Sequence, residues 1–318
     1  MKAGLRLLGI LVAAAALIYF VAHAYRALAD QDLSRLLEPR VMFAGVLLTM
    51  LYALLVPLTA TAWCWLLRGL GQPVGFRVTG PILATTQLGK YLPGNVAHHL
   101  GRVVLARSHG VDTRRAITSV AYETLLVLVA CAHVSALTLL WAPPEALASW
   151  PLARYRGALV IVISVGVLVA MLAAPWLART ILRLRSGTDA SGEMHLQVHP
   201  GWLTSLACYL VYCLNFALVG AGLWLVAKAL SSDPVGAAHL VLLVGAFASS
   251  WILGFLAPGA PAGLGIREAV LSLWLGSTFG IATAVTLIVM LRIATTGGDL
   301  ISFLWGSLAM ARDMPDGA

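Results

Sequence analysis

The chain alternates long apolar runs with short polar connections, and the runs have the length of membrane-crossing helices. A helix needs about 20 residues to cross a bilayer. Six uninterrupted runs reach that length, at about 5–25, 41–67, 115–141, 158–182, 203–229 and 281–309. The pattern predicts an all-α polytopic membrane protein.

Two further apolar regions, at about 79–107 and 238–279, are interrupted by proline and glycine. A broken helix leaves backbone polar groups unpaired, and lipid tolerates this only where protein or water surrounds the break. We therefore expect each region to form two half-helices that turn back at the break, which is a re-entrant hairpin. The predicted structural hinges are Pro93, Gly94, Gly101, Pro258, Gly259 and Gly265.

The placement of basic residues favours hairpins over spanning segments. Lys and Arg are enriched on the cytoplasmic side of membrane proteins. If both regions are re-entrant and the N-terminus is inside, the cluster Arg107, Arg114 and Arg115 lies in the cytoplasm. If the regions span, this cluster moves outside. We therefore expect a multi-pass protein of the cell inner (cytoplasmic) membrane, with both termini in the cytoplasm.

The two halves of the chain carry similar segments. Trp65-Leu66-Leu67 is similar to Trp224-Leu225-Val226, and Gln72-Pro73-Val74 to Asp233-Pro234-Val235. An odd number of predicted crossings separates the two units, which predicts two inverted repeats. We expect one transmembrane domain over 1–318: an N-terminal helix and loop (1–40), a first repeat (41–141), a connection (142–202), a second repeat (203–310) and a tail (311–318).

Composition supports the membrane assignment and limits the functions to consider. Hydrophobic residues make up 60% of the 318 residues and charged residues only 11%, with a mean hydropathy of +0.90. The formal charge of +8 is placed at the ends of apolar runs, so we expect no nucleic-acid partner. The four cysteines form no CxxC pair, and no cofactor or metal site is expected.

An arginine, Arg102 or Arg267, lies nine residues beyond the proline of each break. Arginine stays charged, and its fork of donors matches a phosphate group. Each arginine falls within about three turns of a positive helix end, where backbone N–H groups favour anions. We expect the pair to hold a phosphate near the bilayer midplane, or to pass it between two sites. The alternative is structural pairing with an acid such as Glu123 or Glu268, or snorkelling to the interface.

The first hairpin carries polar residues that the second lacks. Lys90, Asn95, His98 and His99 crowd the first break, whereas residues 260–263 are small and apolar. Histidine beside an anion site can donate a hydrogen bond or titrate during transport. Alternatively, these side chains satisfy broken backbone groups. If one hairpin reads the ligand headgroup, the first is the better candidate.

Three ionisable residues, Glu123, Arg292 and Asp299, lie within otherwise apolar helices. Such residues are rare in membranes, and they either function directly or pair with one another. Glu123 is predicted to be an arginine partner or a proton carrier. Arg292 and Asp299 are seven residues apart on one helix face, so we expect a shared network rather than a direct contact.

Three segments together resemble a known family. Gly263-Leu264-Gly265-Ile266-Arg267-Glu268-Ala269 is similar to the signature of the lysylphosphatidylglycerol synthase transmembrane-region family, which includes the flippase half of multiple peptide resistance factors and stand-alone proteins. Leu92-Pro93-Gly94 through Gly101-Arg102 resembles its first motif, and Ser119-Val120-Ala121-Tyr122-Glu123 its glutamate-bearing helix. The resemblance covers about residues 40–310. It implies translocation of an anionic lipid, either a phospholipid or a polyprenyl-phosphate-linked sugar.

The expected function is therefore a flippase-like carrier for an anionic membrane lipid. Arg102, Arg267, Lys90, Asn95, His98, His99, Glu123 and Glu268 are the expected substrate-binding residues. No soluble aminoacyl-transfer domain is recognised, so we do not expect the chain to attach lysine to a lipid. Two alternatives remain: a non-catalytic membrane partner of a cell-envelope glycosyltransferase or lipid synthase, and a membrane-embedded transferase that uses polyprenyl-phosphate substrates.

Overall fold

The computed structural model describes residue 18 and residues 36–92, 96–143, 154–186, 199–257 and 260–312, with the backbone alone at 170 and 174–186. Apart from residue 18, the predicted helix at 5–25 lies outside these residues. So do Asn95 and the residues of the two breaks, Pro93, Gly94, Pro258 and Gly259.

Within the described residues the chain forms nine α-helices. They are α1 (Pro39–Gly69), α2 (Phe76–Thr86), α3 (Ala97–Ser108), α4 (Thr113–Trp141), α5 (Arg156–Ser186), α6 (Trp202–Leu230), α7 (Ala237–Leu256), α8 (Ile266–Phe279) and α9 (Ile281–Arg312). Short 3-10 turns follow α2 at Gln87–Tyr91 and follow α7 at Pro261–Gly263.

Six of these helices, α1, α4, α5, α6, α7 and α9, are long and apolar enough to cross a membrane. Five of them coincide with runs predicted from the hydrophobic pattern. The sixth, α7, differs from the expectation of a half-helix, because its 20 residues extend over about 30 Å. The structure therefore supports an all-helical, multi-pass membrane protein.

The pair formed by α1 and α6 lies at the centre of the fold, and the two helices run antiparallel. Leu48 on α1 lies against Gly222 on α6. Further along α1, the Thr59 hydroxyl accepts a hydrogen bond from Asn215 at 3.0 Å. Residues further along α1 therefore contact earlier residues of α6.

Glycines allow these helices to approach closely. A Cβ at Gly222 would lie 2.5 Å from Leu48 Cδ1, and one at Gly306 on α9 would lie 2.8 Å from the backbone of Thr85. Small residues at membrane helix interfaces serve this role because dispersion contacts replace the hydrophobic effect there.

The segment from α2 to α3 begins and ends at neighbouring loops. The backbone N–H of Asp112, just after α3, donates to the Gln72 side chain, just before α2, at 2.9 Å. Arg115 donates to the Gly71 carbonyl across the same gap at 2.9 Å. The segment from α7 to α8 behaves similarly, since the rings of His239 and Phe279 lie 5.4 Å apart.

The contacts of the two units correspond to one another. Helix α1 packs on α2 as α6 packs on α7, and α3 packs on α4 as α8 packs on α9. Across the units, α4 packs on α7 and α9 packs on α2. Helix α5 packs mainly on α4. Each broken segment therefore packs on one helix of the central pair, and the 3-10 turns of the two segments are in contact.

Candidate functional site

A cavity of about 210 Å³ lies between the two broken segments and the central pair. Every helix except α5 contributes to its wall. Its volume is below the roughly 300–1,000 Å³ of pockets for drug-sized molecules. The cavity therefore has room for a headgroup rather than for a whole lipid.

Arg102 on α3 is held by an ion pair on one side of the cavity. Its two terminal nitrogens donate to the two carboxylate oxygens of Glu123 on α4, at 2.8 and 2.5 Å. Both side chains are almost completely buried, at 4% and 7% exposure, and the guanidinium lies 4.2 Å from the centre of the Trp63 ring. Structural pairing with Glu123, one of the two alternatives from the sequence, is the arrangement observed.

Lys90, in the first 3-10 turn, forms a second ion pair across the cavity. Its ammonium lies 2.6 Å from one carboxylate oxygen of Asp299 on α9, while the Tyr91 hydroxyl donates to the other oxygen at 2.7 Å. Lys90 also reaches the Tyr52 hydroxyl at 3.0 Å. Asp299 is 1% exposed, so this carboxylate is buried and fully engaged.

Arg267 on α8 is the third cation in the cavity wall, and its surroundings differ from those of Arg102. Among the described residues it has no ion-pair partner, and its Nε has no hydrogen-bond partner. Its guanidinium lies 5.8 Å from the centre of the Trp251 ring. Arg267 therefore carries a charge that no described carboxylate neutralises.

Glycines shape the wall against which Arg267 lies. A Cβ at Gly254 on α7 would be 2.6 Å from Arg267 Cγ, and one at Gly263 would be 2.8 Å from its Nε. Gly263 has φ +68°, and Gly265, just before α8, has φ +83°. Both angles favour glycine, so the backbone before α8 is built to bring it close to the arginine.

Glu268 does not line the cavity, although it follows Arg267 directly. It forms a short ion pair with Arg292 on α9 instead. Arg292 and Asp299 are not in direct contact, as expected, but each belongs to a separate ion pair. Glu268 thus forms its ion pair with Arg292 rather than with Arg267, and its second carboxylate oxygen has no hydrogen-bond partner among the described residues.

Among the described residues that line the cavity, three cations face two carboxylates. Two of the cations, Arg102 and Lys90, are matched by Glu123 and Asp299. With both histidines neutral, one positive charge is left, and Arg267 carries it. The arrangement can bind one negative charge.

Several uncharged polar atoms in the same wall also lack partners among the described residues. They are Nδ1 of His98, both ring nitrogens of His99, the hydroxyl of Tyr212 and Oδ1 of Asn215. A buried polar atom without a partner is destabilising by about 1–3 kcal/mol. Such a cluster around one cavity is typical of a site for a polar ligand.

Four aromatic residues also line the cavity. Phe216 on α6 contacts Trp251 on α7 with ring centroids 5.6 Å apart, and Trp251 stacks on Phe255 at 5.2 Å. Phe247 completes the group, 6.1 Å from Phe216. The cavity therefore combines charged and polar groups with aromatic surface, which suits the region where a lipid headgroup joins its chain.

The cavity brings together Arg102, Arg267, Lys90, His98, His99 and Glu123, six of the eight residues expected to bind substrate. Asn95 lies outside the described residues, and Glu268 lies outside the cavity. Of the predicted hinges, Gly101 lies within α3 against Thr86 of α2.

Sequence reasoning did not assign Asp299 to the site, nor Tyr52, Asn215, Tyr212 and Trp251. The sequence did mark Asp299 as unusual, because it is an acidic residue inside an apolar helix. The others are neutral or aromatic residues in apolar runs, and such residues are common at positions without a role.

Comparison with protein families gives one match. Residues 6–302 match the family described as "Lysylphosphatidylglycerol synthase TM region". No protein with curated annotation matches the chain.

Proposed function

Because the chain belongs to the lysylphosphatidylglycerol synthase transmembrane-region family, we propose that it is a carrier that moves an anionic lipid across the cell inner membrane. The lipid is a phospholipid or a polyprenyl-phosphate-linked sugar, and its phosphate binds in the central cavity. One observation carries this proposal: Arg267 is partly buried in the cavity wall, with its Nε fully buried, and it has no ion-pair partner among the described residues.

The energetics of burial support an anionic ligand. A buried charge without a partner is destabilising by several kcal/mol, and only a counter-charge or a set of hydrogen bonds offsets this. A phosphate oxygen at Arg267 would provide both. In this proposal Arg267 contacts the phosphate directly, while the Arg102–Glu123 and Lys90–Asp299 pairs form the polar floor of the site.

Inverted repeats with re-entrant hairpins fit the same proposal. The antiparallel α1 and α6, and the neighbouring loops at both ends of each broken segment, support two units of opposite orientation. Carriers built from inverted repeats bind substrate where the repeats meet, often beside broken helices. The cavity lies at that interface, and both termini are proposed to be cytoplasmic.

The two carboxylates that the transferase alternative would use as acid or base are both held in ion pairs. An enzyme acting on a phosphate ester needs an acid or a base that is free to exchange a proton near the site. Both oxygens of Glu123 accept hydrogen bonds from Arg102, and Glu268 is paired with Arg292 outside the cavity. Glu123 is thus engaged and Glu268 lies outside the cavity, so His98 and His99 are the acid–base candidates that the transferase alternative retains at the site.

Lipid translocation in proteoliposomes tests the proposal. Fluorescent phospholipids and short-chain polyprenyl phosphates would be compared for the wild type, Arg267→Gln and Arg40→Gln. Arg40 is the control because its side chain is 66% exposed and does not line the cavity. We expect transport of one lipid class, lost in Arg267→Gln and retained in Arg40→Gln.

Two results would overturn the carrier proposal. They are the absence of transport of any anionic lipid by folded protein, and transport at the wild-type rate by Arg267→Gln. If a glycosyltransferase or lipid synthase then co-purifies with the inactive protein, the role as a membrane partner replaces the carrier.

A further inference from the structure

The carboxylates of the cavity leave no position for a cationic headgroup. Each oxygen of Glu123 accepts a hydrogen bond from Arg102. Each oxygen of Asp299 is likewise engaged, one by Lys90 and the other by Tyr91. An ammonium group entering the cavity would therefore find no uncommitted carboxylate among the described residues, and it would meet the excess positive charge of Arg267.

The excess charge also limits the charge of the phosphate group. One unmatched cation neutralises one negative charge. A phosphodiester carries one negative charge, whereas a phosphomonoester carries about 1.5 to 2 at neutral pH. The cavity is thus electrically matched to a diester.

The remaining polar atoms are neutral and lie on two sides of the cavity. His98 and His99 belong to α3, and Tyr212 and Asn215 belong to α6. Asn215 is anchored through its amide nitrogen, which donates to Thr59 at 3.0 Å, so that its oxygen is left as a buried acceptor without a partner. Hydroxyl groups both donate and accept hydrogen bonds, and they match this mixed set of acceptors and donors.

From the ion-paired carboxylates, the single excess charge and these neutral atoms, we infer that the headgroup is an uncharged polyol attached through a phosphodiester. An ammonium-bearing headgroup, such as ethanolamine or an aminoacylated glycerol, is rejected. Asn215, Tyr212, His98 and His99 are then the residues that read the hydroxyl groups. This inference rests on the proposed carrier function and narrows its substrate class.

Two lipid sources share this chemistry, namely phosphatidylglycerol and a polyprenyl phosphate carrying one sugar. The experiment therefore includes both, together with phosphatidylethanolamine, lysyl-phosphatidylglycerol and phosphatidic acid. Each would compete against translocation of a fluorescent substrate by wild-type protein in proteoliposomes. We expect competition by one or both polyol diesters, and at least tenfold weaker competition by the two ammonium-bearing lipids and the monoester.

Substitutions at Asn215 give a test that uses the wall of the cavity itself. Asn215→Leu removes the neutral acceptor and should weaken competition by the polyol diester about tenfold, the effect of one lost buried hydrogen bond. Asn215→Asp keeps nearly the same side-chain shape but adds a third carboxylate, so that the cavity lining then has as many carboxylates as cations. It should lower transport of the polyol diester by about 100-fold, the scale of like-charge juxtaposition, and improve competition by lysyl-phosphatidylglycerol.

The outcomes separate this inference from the carrier proposal. Equal or stronger competition by the ammonium-bearing lipids at the wild-type protein overturns the polyol assignment and leaves the carrier intact. Competition by phosphatidic acid alone would also overturn the polyol assignment and leave the carrier proposal intact. Loss of all transport in the wild type refutes the carrier itself. If the Asn215 variants do not fold, as judged by size-exclusion chromatography, the comparison of lipids on the wild type decides alone.

Discussion

The two matched arginines should have opposite effects on stability when each is changed to glutamine. Arg102→Gln leaves Glu123 buried without its counter-ion. Arg267→Gln removes a partly buried charge that has no ion-pair partner among the described residues. The first change should destabilise the protein, and the second should stabilise it while abolishing transport.

The magnitudes follow from the surroundings of each guanidinium. Arg102 and Glu123 are 4% and 7% exposed and share two hydrogen bonds, so breaking the pair should lower the free energy of unfolding by about 3–5 kcal/mol. For Arg267, relief of the desolvation penalty of several kcal/mol is offset by loss of the contact with Trp251, worth about 0.5–2 kcal/mol. A net gain of about 1–2 kcal/mol is expected, in the range of typical stabilising substitutions.

Thermal unfolding in detergent measures both effects. Anionic lipid must first be exchanged for a neutral detergent, because a ligand bound at Arg267 would stabilise the wild type by mass action. The expected order of Tm is Arg267→Gln above wild type, and Arg102→Gln lowest. Equal shifts for the two variants, or a lower Tm for Arg267→Gln, would refute the charge assignment of the cavity.

Two further predictions concern the wall of the site. Gly254→Ala should displace the Arg267 side chain and slow transport roughly 10- to 100-fold, the effect of about 1 Å of misplacement. Gly276→Ala, where a Cβ meets nothing within 4 Å, is the matched control. Equal transport rates in the two variants would contradict the role of Gly254 in positioning Arg267. Asp299→Asn should lower the free energy of unfolding by about 1–3 kcal/mol, because it leaves Lys90, at 20% exposure, without a carboxylate. An unchanged Tm would contradict this role of Asp299.

The sequence was sufficient to predict five of the crossing helices and the family, because apolar length and a local motif are short-range properties. The ends of α7 agree with the predicted run from about 238 to its break at Pro258. The expectation of a short half-helix was wrong because these 20 residues are long enough to cross a membrane. Arg102 and Arg267, which are equally spaced from their breaks, line the same cavity; that they bind one phosphate stays a prediction.

The different environments of the two arginines could not be predicted. These environments depend on which side chain α4 places beside Arg102 and which side chain α9 places near Arg267. In the first unit, α4 supplies Glu123, whereas in the second unit α9 supplies Arg292, which engages Glu268. Partners more than 200 residues apart, such as Lys90 and Asp299, are likewise set by tertiary packing and leave no local pattern.

The contact between Arg267 and Trp251 gives the protein a native optical reporter. The emission of an indole responds to a nearby charge, and this guanidinium lies 5.8 Å from the ring centre. An anion that draws the guanidinium towards the cavity would change that distance and alter the fluorescence of Trp251. Because the chain has ten tryptophans, the part of an emission change that Trp251→Phe abolishes reports occupancy of the cavity, with no dye attached to either the protein or the lipid.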